Sequence, residues 1–368
     1  VKKINILLVG FNLDGAMGDN YYQLSKSLIK FKEHNWFGLS KRDKRINIKN
    51  ANFKEVLLVD YNKRNIISLF KNIFKINKFI KSNKIDIIFL ITPNLIFNVF
   101  ISIAFKKKKI IYFLHDPTPH SGEKFLRRYT LNMQNKIVTS LSQIIVVASY
   151  SQMKEIRNSN ILNLNKKRIE TIELGLLNNL VFSELNKKNT DIVEDIDVLF
   201  FGRIEHYKGL DILADALEFL ETQKKKVKCY IVGKGKIIDF IKSSQIDLFE
   251  INNTYVEDYE LASLIKRAKI VVFPYKNATG TQTVQTVYFY QKPVIASNTG
   301  SFSDYIIDGE TGILFEKNDY KELAKSIDYL LENEKTRRIM GSNGKNLLSE
   351  RFNMDIVAKK YIRLFEEN

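Results

Sequence analysis

The chain has little cysteine and little histidine, and it has no unbroken apolar run of membrane-spanning length. Its single cysteine, Cys229, lies in the apolar run KVKCYIVG. One cysteine cannot close an intramolecular disulfide, so a disulfide-stapled scaffold is excluded. A buried strand position in a reducing cytoplasm is expected. Four histidines supply no three-histidine or Cys/His spacing, and no protein-bound metal is expected. Two apolar stretches, Ile85 to Ile91 and Leu95 to Phe105, are cut apart by Thr92-Pro93-Asn94. Each falls short of the ~20 residues a spanning helix needs. A strand, a turn and a short buried helix fit better. No secretory signal is visible, because VKKINILLVG reads as a strand. The spacing of Gly10, Gly15 and Gly18 does not match the dinucleotide fingerprint, which disfavours a dehydrogenase.

What is present is a long and unevenly charged chain. At 368 residues it exceeds one ordinary core, which favours two domains. The net charge of +17 is lopsided: residues 1–173 hold 31 Lys/Arg against 12 Asp/Glu, and residues 174–368 hold 27 against 29. A basic half suggests an anionic surface partner, such as lipid head groups, a lipid diphosphate or nucleic acid. Recognition-helix, RNP and zinc patterns are missing, so nucleic acid is not the expected partner. The run Lys106 to Lys109 is open to two readings, a solvated turn or a membrane-surface contact.

Strand and helix patterns alternate through both halves, which predicts an α/β chain. Ile4 to Val9 reads as a buried strand. The loop after it carries Gly10, Gly15 and Gly18, and a helix is expected from Tyr21 to Ile29. Ile110 to Leu114 is a strand that runs into HDPTPHSGEK. There His115, Asp116 and His120 crowd a strand's carboxyl end beside Pro117 and Pro119. A satisfied core histidine and a functional His–Asp pair both remain readings of that loop. Acid- and Asn-rich sequence from Asn178 to Glu194 marks a linker. It gives domains 1–177 and 195–350, with a C-terminal helix in 351–368.

In the second half, the strand Asp197 to Phe201 opens into GRIEHYKGLDILADALEFL. Arg203 and Lys208 flank its turn, and two cations at a strand's carboxyl end suit a diphosphate. Plain surface solvation is the alternative. Cys229 to Val232 is a strand ending in a tight turn with Gly233 and Gly235. Residues 271–304 read as strand, polar loop, helix and strand, a right-handed crossover. Its loop, with Gly280, lies where open α/β sheets bind ligands, and the free N–H groups at the helix start favour an anion. Asp319 with Glu322 predicts a capping box for a helix through Leu331. A last helix is expected from Met354 to Phe365.

Taken in order, these segments resemble the retaining glycosyltransferases of family four, the group 1 glycosyltransferases. FFGRIEHYKGLDILADAL resembles the family's Gly-Arg…Lys-Gly segment, and YIVGKGK its Val-Gly-x-Gly turn. QKPVIASNTGSFSDYIIDGETGILF resembles its Gly-x-Pro-Val-Ile…Asp-Gly-x-x-Gly signature, and HDPTPHSGE a His-Asp-Pro segment of some members. The resemblance implies a GT-B fold, with two Rossmann-like, doubly wound parallel-sheet domains facing a cleft. The C-terminal helix would pack back on the first of them. It also implies a hexosyltransferase that keeps the anomeric configuration, without a metal or a cofactor beyond its nucleoside-diphosphate sugar donor. Arg203 and Lys208 would hold the donor diphosphate, and His115 would sit near the donor sugar. Gly280 and Thr281 would add backbone donors. Gly15, Gly18, Asp116, Gly233, Gln282, Thr283 and Gln285 complete the implied donor-binding set. The implied acceptor is a saccharide or a polyprenyl-diphosphate-linked glycan. The implied place is the inner face of the plasma membrane, with the basic domain on the anionic leaflet.

One departure stands out. The family's pair of glutamates with seven residues between falls here on Ala278 and Thr286, so both carboxylates are missing. The chain belongs to a branch that uses the amides Gln282 and Gln285, or the correspondence slips locally, or the chain is a catalytically silent partner subunit.

Overall fold

Short runs of Ile, Val, Leu and Phe form the strands, and helices between them cover both faces, as all-parallel sheets require. The computed structural model describes residues 3–13, 15–41, 53–60, 65–115, 117, 125–158, 164, 167–176, 193–278 and 282–367. Contacts divide the chain into two units, Val1–Gly175 with Met354–Asn368, and Leu176–Asn353.

The first unit contains β1 (Asn5–Gly10), α1 (Gly15–Leu28), β2 (Asn35–Lys41), β3 (Glu55–Val59), α2 (Ile66–Ser82) and β4 (Ile87–Leu90). It continues through α3 (Leu95–Ala104), β5 (Lys109–Phe113), α4 (Phe125–Leu141), β6 (Ile144–Val147), α5 (Tyr150–Asn158) and β7 (Arg168–Thr171). The second unit contains β8 (Ile196–Phe201), α6 (Leu210–Thr222), β9 (Cys229–Val232), β10 (Phe249–Asn252), α7 (Asp258–Arg267) and β11 (Ala268–Phe273). After these come α8 (Thr283–Phe289), β12 (Val294–Ser297), α9 (Phe302–Tyr305), β13 (Gly312–Phe315), α10 (Tyr320–Glu332) and α11 (Glu334–Leu347). The last helix, α12 (Met354–Glu366), belongs to the first unit.

The strand orders are β3-β2-β1-β4-β5-β6-β7 and β10-β9-β8-β11-β12-β13, each pair parallel. Both are doubly wound α/β sheets of the Rossmann type. The order reverses between β1 and β4 in one sheet and between β8 and β11 in the other. Such switch points are where a parallel sheet opens a crevice at its carboxyl edge.

Alternation along the strands divides the first core. Ile6, Leu8, Phe89 and Phe113 pack with Leu24 and Leu28 of α1 and Val357, Tyr361 and Phe365 of α12. Leu7, Val9, Ile88 and Leu90 pack with Ile76 and Ile80 of α2 and Phe97 and Ile101 of α3. Thr92-Pro93-Asn94 does form the turn expected of it, because Asn94 caps α3 by accepting the Phe97 N–H at 3.0 Å.

Several local expectations need correction. Helix α1 begins at Gly15, not Tyr21, so Gly15 and Gly18 belong to a helix and not to an open loop. A Cβ on Gly18 would lie 1.9 Å from the Leu13 carbonyl oxygen, so this glycine lets the helix pack on the preceding loop. The capping box is only half formed. Asp319 accepts from the Lys321 and Glu322 amides, each at 2.9 Å, whereas Glu322 accepts from the Glu316 N–H at 2.6 Å. The lysine run also splits: Lys106 and Lys107 are exposed, but Lys109 starts β5 and donates to the Leu364 carbonyl at 3.1 Å. That ammonium also reaches the Phe365 and Glu367 carbonyls, capping the end of α12 where the helix dipole favours a cation. Of the linker 178–194, residues 178–192 lie outside the described residues.

Candidate active site

The β8/β11 switch point of the second unit is built by loops that approach as closely as glycine allows. After β8, Gly202 turns at φ 122° and its N–H donates to the Val232 carbonyl at 3.0 Å. A single turn of 3-10 helix, His206–Lys208, ends at Gly209 with φ 68°. A Cβ there would stand 1.8 Å from the Pro274 carbonyl oxygen. Only glycine lets the β8 loop cross the end of β11 at this distance. The Lys276 N–H donates to the Tyr207 carbonyl at 2.7 Å and ties the two loops together.

This crossing draws Lys208 inward. Its side chain is buried, and its ammonium donates to the Tyr275 hydroxyl. Nζ stands 3.9 Å from the Tyr275 ring centroid and 5.2 Å from that of Tyr207. Tyr275 is itself buried, and its hydroxyl also bonds the side chain of Thr283, the first residue of α8. Burial pushes the Tyr275 pKa far up. For Lys208, burial is the main cause that lowers the pKa to about 7; Arg203 adds repulsion and Glu205 opposes it. The partner of this ammonium is a neutral phenol, not a carboxylate. It is therefore a cation held at a cost, which an arriving anion would offset.

The neighbouring candidates differ in character. Arg203 is exposed and pairs with Glu205 at 3.0 Å, a contact of small energetic weight in water. Gly233 follows β9, and a Cβ on it would lie 1.8 Å from the Gly202 carbonyl oxygen. Gln282 and Thr283 open α8 and are half-buried. Gln285 has no exposed surface, so its amide is closed to a ligand in this conformation. The two positions of the missing carboxylates are used locally. The Ala278 carbonyl accepts the Ser301 N–H at 2.9 Å and packs against Gly300. The Thr286 hydroxyl donates to the Gln282 carbonyl at 3.2 Å. Gly280 and Thr281 lie outside the described residues, as do Asp116 and His120.

The first unit places His115 at the carboxyl end of β5, half-buried, with its carbonyl accepting from Gln152 Nε2 at 2.9 Å. Gly15 and Gly18 sit in α1 beyond β1. Sequence reasoning missed Thr92, whose hydroxyl accepts the N–H groups of Phe11 at 2.8 Å and Asn12 at 3.0 Å and so fixes the β1/β4 switch. It also missed Tyr275 and Tyr207. Their only signal in the sequence is an aromatic directly after Pro274 and another beside Lys208. Among the described residues, no cluster of His, Cys, Asp or Glu is arranged to hold a metal, and no helix is long and apolar enough to cross a membrane.

Two Rossmann-type sheets in two successive units are the parts of the GT-B fold, and comparison with known proteins agrees. The family of glycosyl transferases group 1 matches residues 182–347, which span the second sheet and this site. That match lies in the second unit, which is similar there to the group 1 glycosyltransferases. An uncharacterized glycosyltransferase of Methanocaldococcus jannaschii is 27% identical over 80% of both chains. An α-1,4-N-acetyl-D-galactosaminyltransferase of Campylobacter jejuni is 22% identical over 82% of this chain and 80% of its own; its name gives a saccharide on PP-undecaprenol as its acceptor. The Anabaena HepE structure, solved with UDP and glucose, superposes with a TM-score of 0.70 at 16% identity, covering 98% of this chain and 99% of that one.

Proposed function

We propose that this chain is a retaining, metal-independent hexosyltransferase. It moves a sugar from a nucleoside-diphosphate donor to a saccharide or polyprenyl-diphosphate-linked acceptor in surface glycan synthesis. The observation that carries this reading is Lys208, a buried cation at the β8/β11 switch point whose hydrogen-bond partner is a neutral phenol. When the bond between the sugar and the diphosphate breaks, the electron pair leaves with the phosphate oxygen. Lys208 at short range and Arg203 from the surface stabilise that growing charge, which is the part a metal ion plays in other sites. Thr283 and Gln282, at the start of α8, flank the same place. His115 is proposed as a donor-sugar residue from the family resemblance. The Campylobacter relative supports a lipid-linked acceptor, and the basic first half supports work at the anionic inner face of the plasma membrane.

The test is a thermal-shift panel with UDP, GDP, CDP and ADP and their sugar conjugates, followed by turnover in the presence of EDTA. A ligand at about 100 times its Kd adds about 2.7 kcal/mol of stability. NMR of the product then reads the anomeric outcome. Inversion, or turnover that EDTA abolishes, contradicts the reading. Ala278 and Thr286, in place of two carboxylates, favour one rival: a catalytically silent GT-B subunit. It predicts donor or partner binding and no transfer under any acceptor condition.

A further inference from the structure

Helix α2 carries apolar residues on two sides, although a surface helix needs only one. Asn72, Ile76, Phe79 and Ile80 are its buried residues. On its outer side Ile66, Ile67, Phe70 and Phe74 stand 69%, 68%, 65% and 68% exposed. Positions three and four apart share a helix face, so these four make one stripe along the first half of α2. Lys71, Lys75 and Lys78 are exposed and follow the same spacing in a row beside it, and Lys81 is exposed nearer the end. The helix, IISLFKNIFKINKFIKS, contains no acidic residue. Its N-terminus is fixed by Asn65, which accepts the Ser68 N–H at 3.0 Å. Asn72 donates to the Asp60 carbonyl at 2.8 Å and ties its inner side to the end of β3. The stripe is therefore held outward by a well-anchored helix.

We infer that α2 is a membrane-docking element. Ile66, Ile67, Phe70 and Phe74 enter the boundary between head groups and acyl chains of an anionic bilayer, with Lys71, Lys75 and Lys78 against the lipid phosphates. Charge complementarity selects this occupant. An apolar stripe bordered by lysines and free of acids is the composition of interfacial helices. The half of the chain that holds it, residues 1–173, carries 31 basic against 12 acidic residues. Lysine stems lie along apolar surface while their ammonium groups reach for phosphate. The inference names the surface contact for the proposed transferase and rests on that reading for its biological sense. Its test uses neither donor nor acceptor.

The experiment is co-sedimentation of the full chain with phosphatidylcholine vesicles, with and without phosphatidylglycerol. The wild type is expected to bind the anionic vesicles and to bind the neutral ones weakly. Phe70→Ser with Phe74→Ser should lower the partition coefficient by about tenfold or more. Lys71→Gln, Lys75→Gln and Lys78→Gln together should abolish the preference for phosphatidylglycerol. Trp36 is the only tryptophan and is buried, so Phe74→Trp supplies a reporter whose emission should shift to the blue on vesicle addition. Equal binding of the wild type and the double-serine variant overturns the inference, and so does an unshifted reporter. A dimer of the wild type that the double-serine variant dissolves, without vesicle binding, shows that a second copy covers the stripe and overturns it too. Thermal shift with the donor panel runs in parallel. Donor binding without vesicle binding defeats only the docking role, whereas vesicle binding without any donor defeats only the transferase reading.

Discussion

Replacing Lys208 by methionine should stabilise the ligand-free protein while it cripples donor binding. The ammonium titrates near 7 in the folded chain, against 10.5 for an ordinary lysine. Each pH unit of displacement is worth about 1.4 kcal/mol, so the charged form is disfavoured by about 5 kcal/mol below pH 7. Between pH 7 and 10.5 the unfolded chain binds the proton more firmly than the folded one. Stability from this group therefore rises with pH across that window, and the penalty is complete below it. At pH 7 the charge costs about 4 kcal/mol, and at pH 9.5 about 1 kcal/mol. Methionine removes this penalty, keeps most of the volume, and loses the bond to the Tyr275 hydroxyl and the contact with its ring. Lys208→Met should thus be more stable than wild type by about 2–4 kcal/mol at pH 7, and the gap should shrink by about 3 kcal/mol at pH 9.5. Urea unfolding at the two pH values measures both quantities. A lysine held only for packing would give a destabilised variant with no pH dependence in the gap, and that result would refute the reasoning.

Donor binding above pH 7 should take up a proton, because a bound diphosphate raises the Lys208 pKa again. Calorimetry in buffers of different ionisation enthalpy reads this directly, with affinity falling by up to about tenfold per pH unit on the alkaline side. Arg203→Ala should leave stability within about 0.5 kcal/mol, since its pair with Glu205 is exposed, yet remove at least about 2 kcal/mol of transition-state stabilisation in kcat/KM. Tyr275→Phe removes the phenol between Lys208 and Thr283; it should cost about 1 kcal/mol of stability and move the alkaline limb of donor binding to lower pH. Gly300→Ala places a Cβ 1.7 Å from the Ala278 carbonyl oxygen at φ 53°, and a loss of at least about 2 kcal/mol in thermal unfolding is expected.

Much of the fold was legible because its central strands are unbroken apolar runs. INILLV, KIIYF and AKIVVF declare themselves, as does the turn that splits the two long apolar stretches. The strands that escaped were β2, β10 and β13. Their sequences, NWFGLSK, FEIN and GILF, mix glycine or polar residues with short apolar stretches and carry no clear period. At the site, Arg203 and Lys208 were visible as cations after a strand, but nothing in the spacing revealed that one is exposed and the other buried. Gly209 decides that, by letting the two loops cross. Tyr275 was invisible as a site residue, since an aromatic after a buried strand reads as core until its hydroxyl is seen between Lys208 and Thr283. Gln285 shows the opposite contrast between sequence and structure. It looks like a ligand-binding amide in the sequence, yet its place on α8 faces inward. The sequence of α2, IISLFKNIFKINKFIKS, is basic and apolar at helical spacing, but periodicity cannot separate a core stripe from a second one turned outward.

The central claim is that the buried ammonium of Lys208 is the receptor for the donor's diphosphate. Titration calorimetry of the best nucleoside diphosphate from the donor panel, at pH 8 against wild type and Lys208→Met, tests it most directly. The account predicts saturable binding with uptake of up to about one proton in the wild type. In the variant, affinity should fall at least about tenfold and the uptake should vanish. Equal affinity in the two proteins, or binding without proton uptake in the wild type, would contradict it.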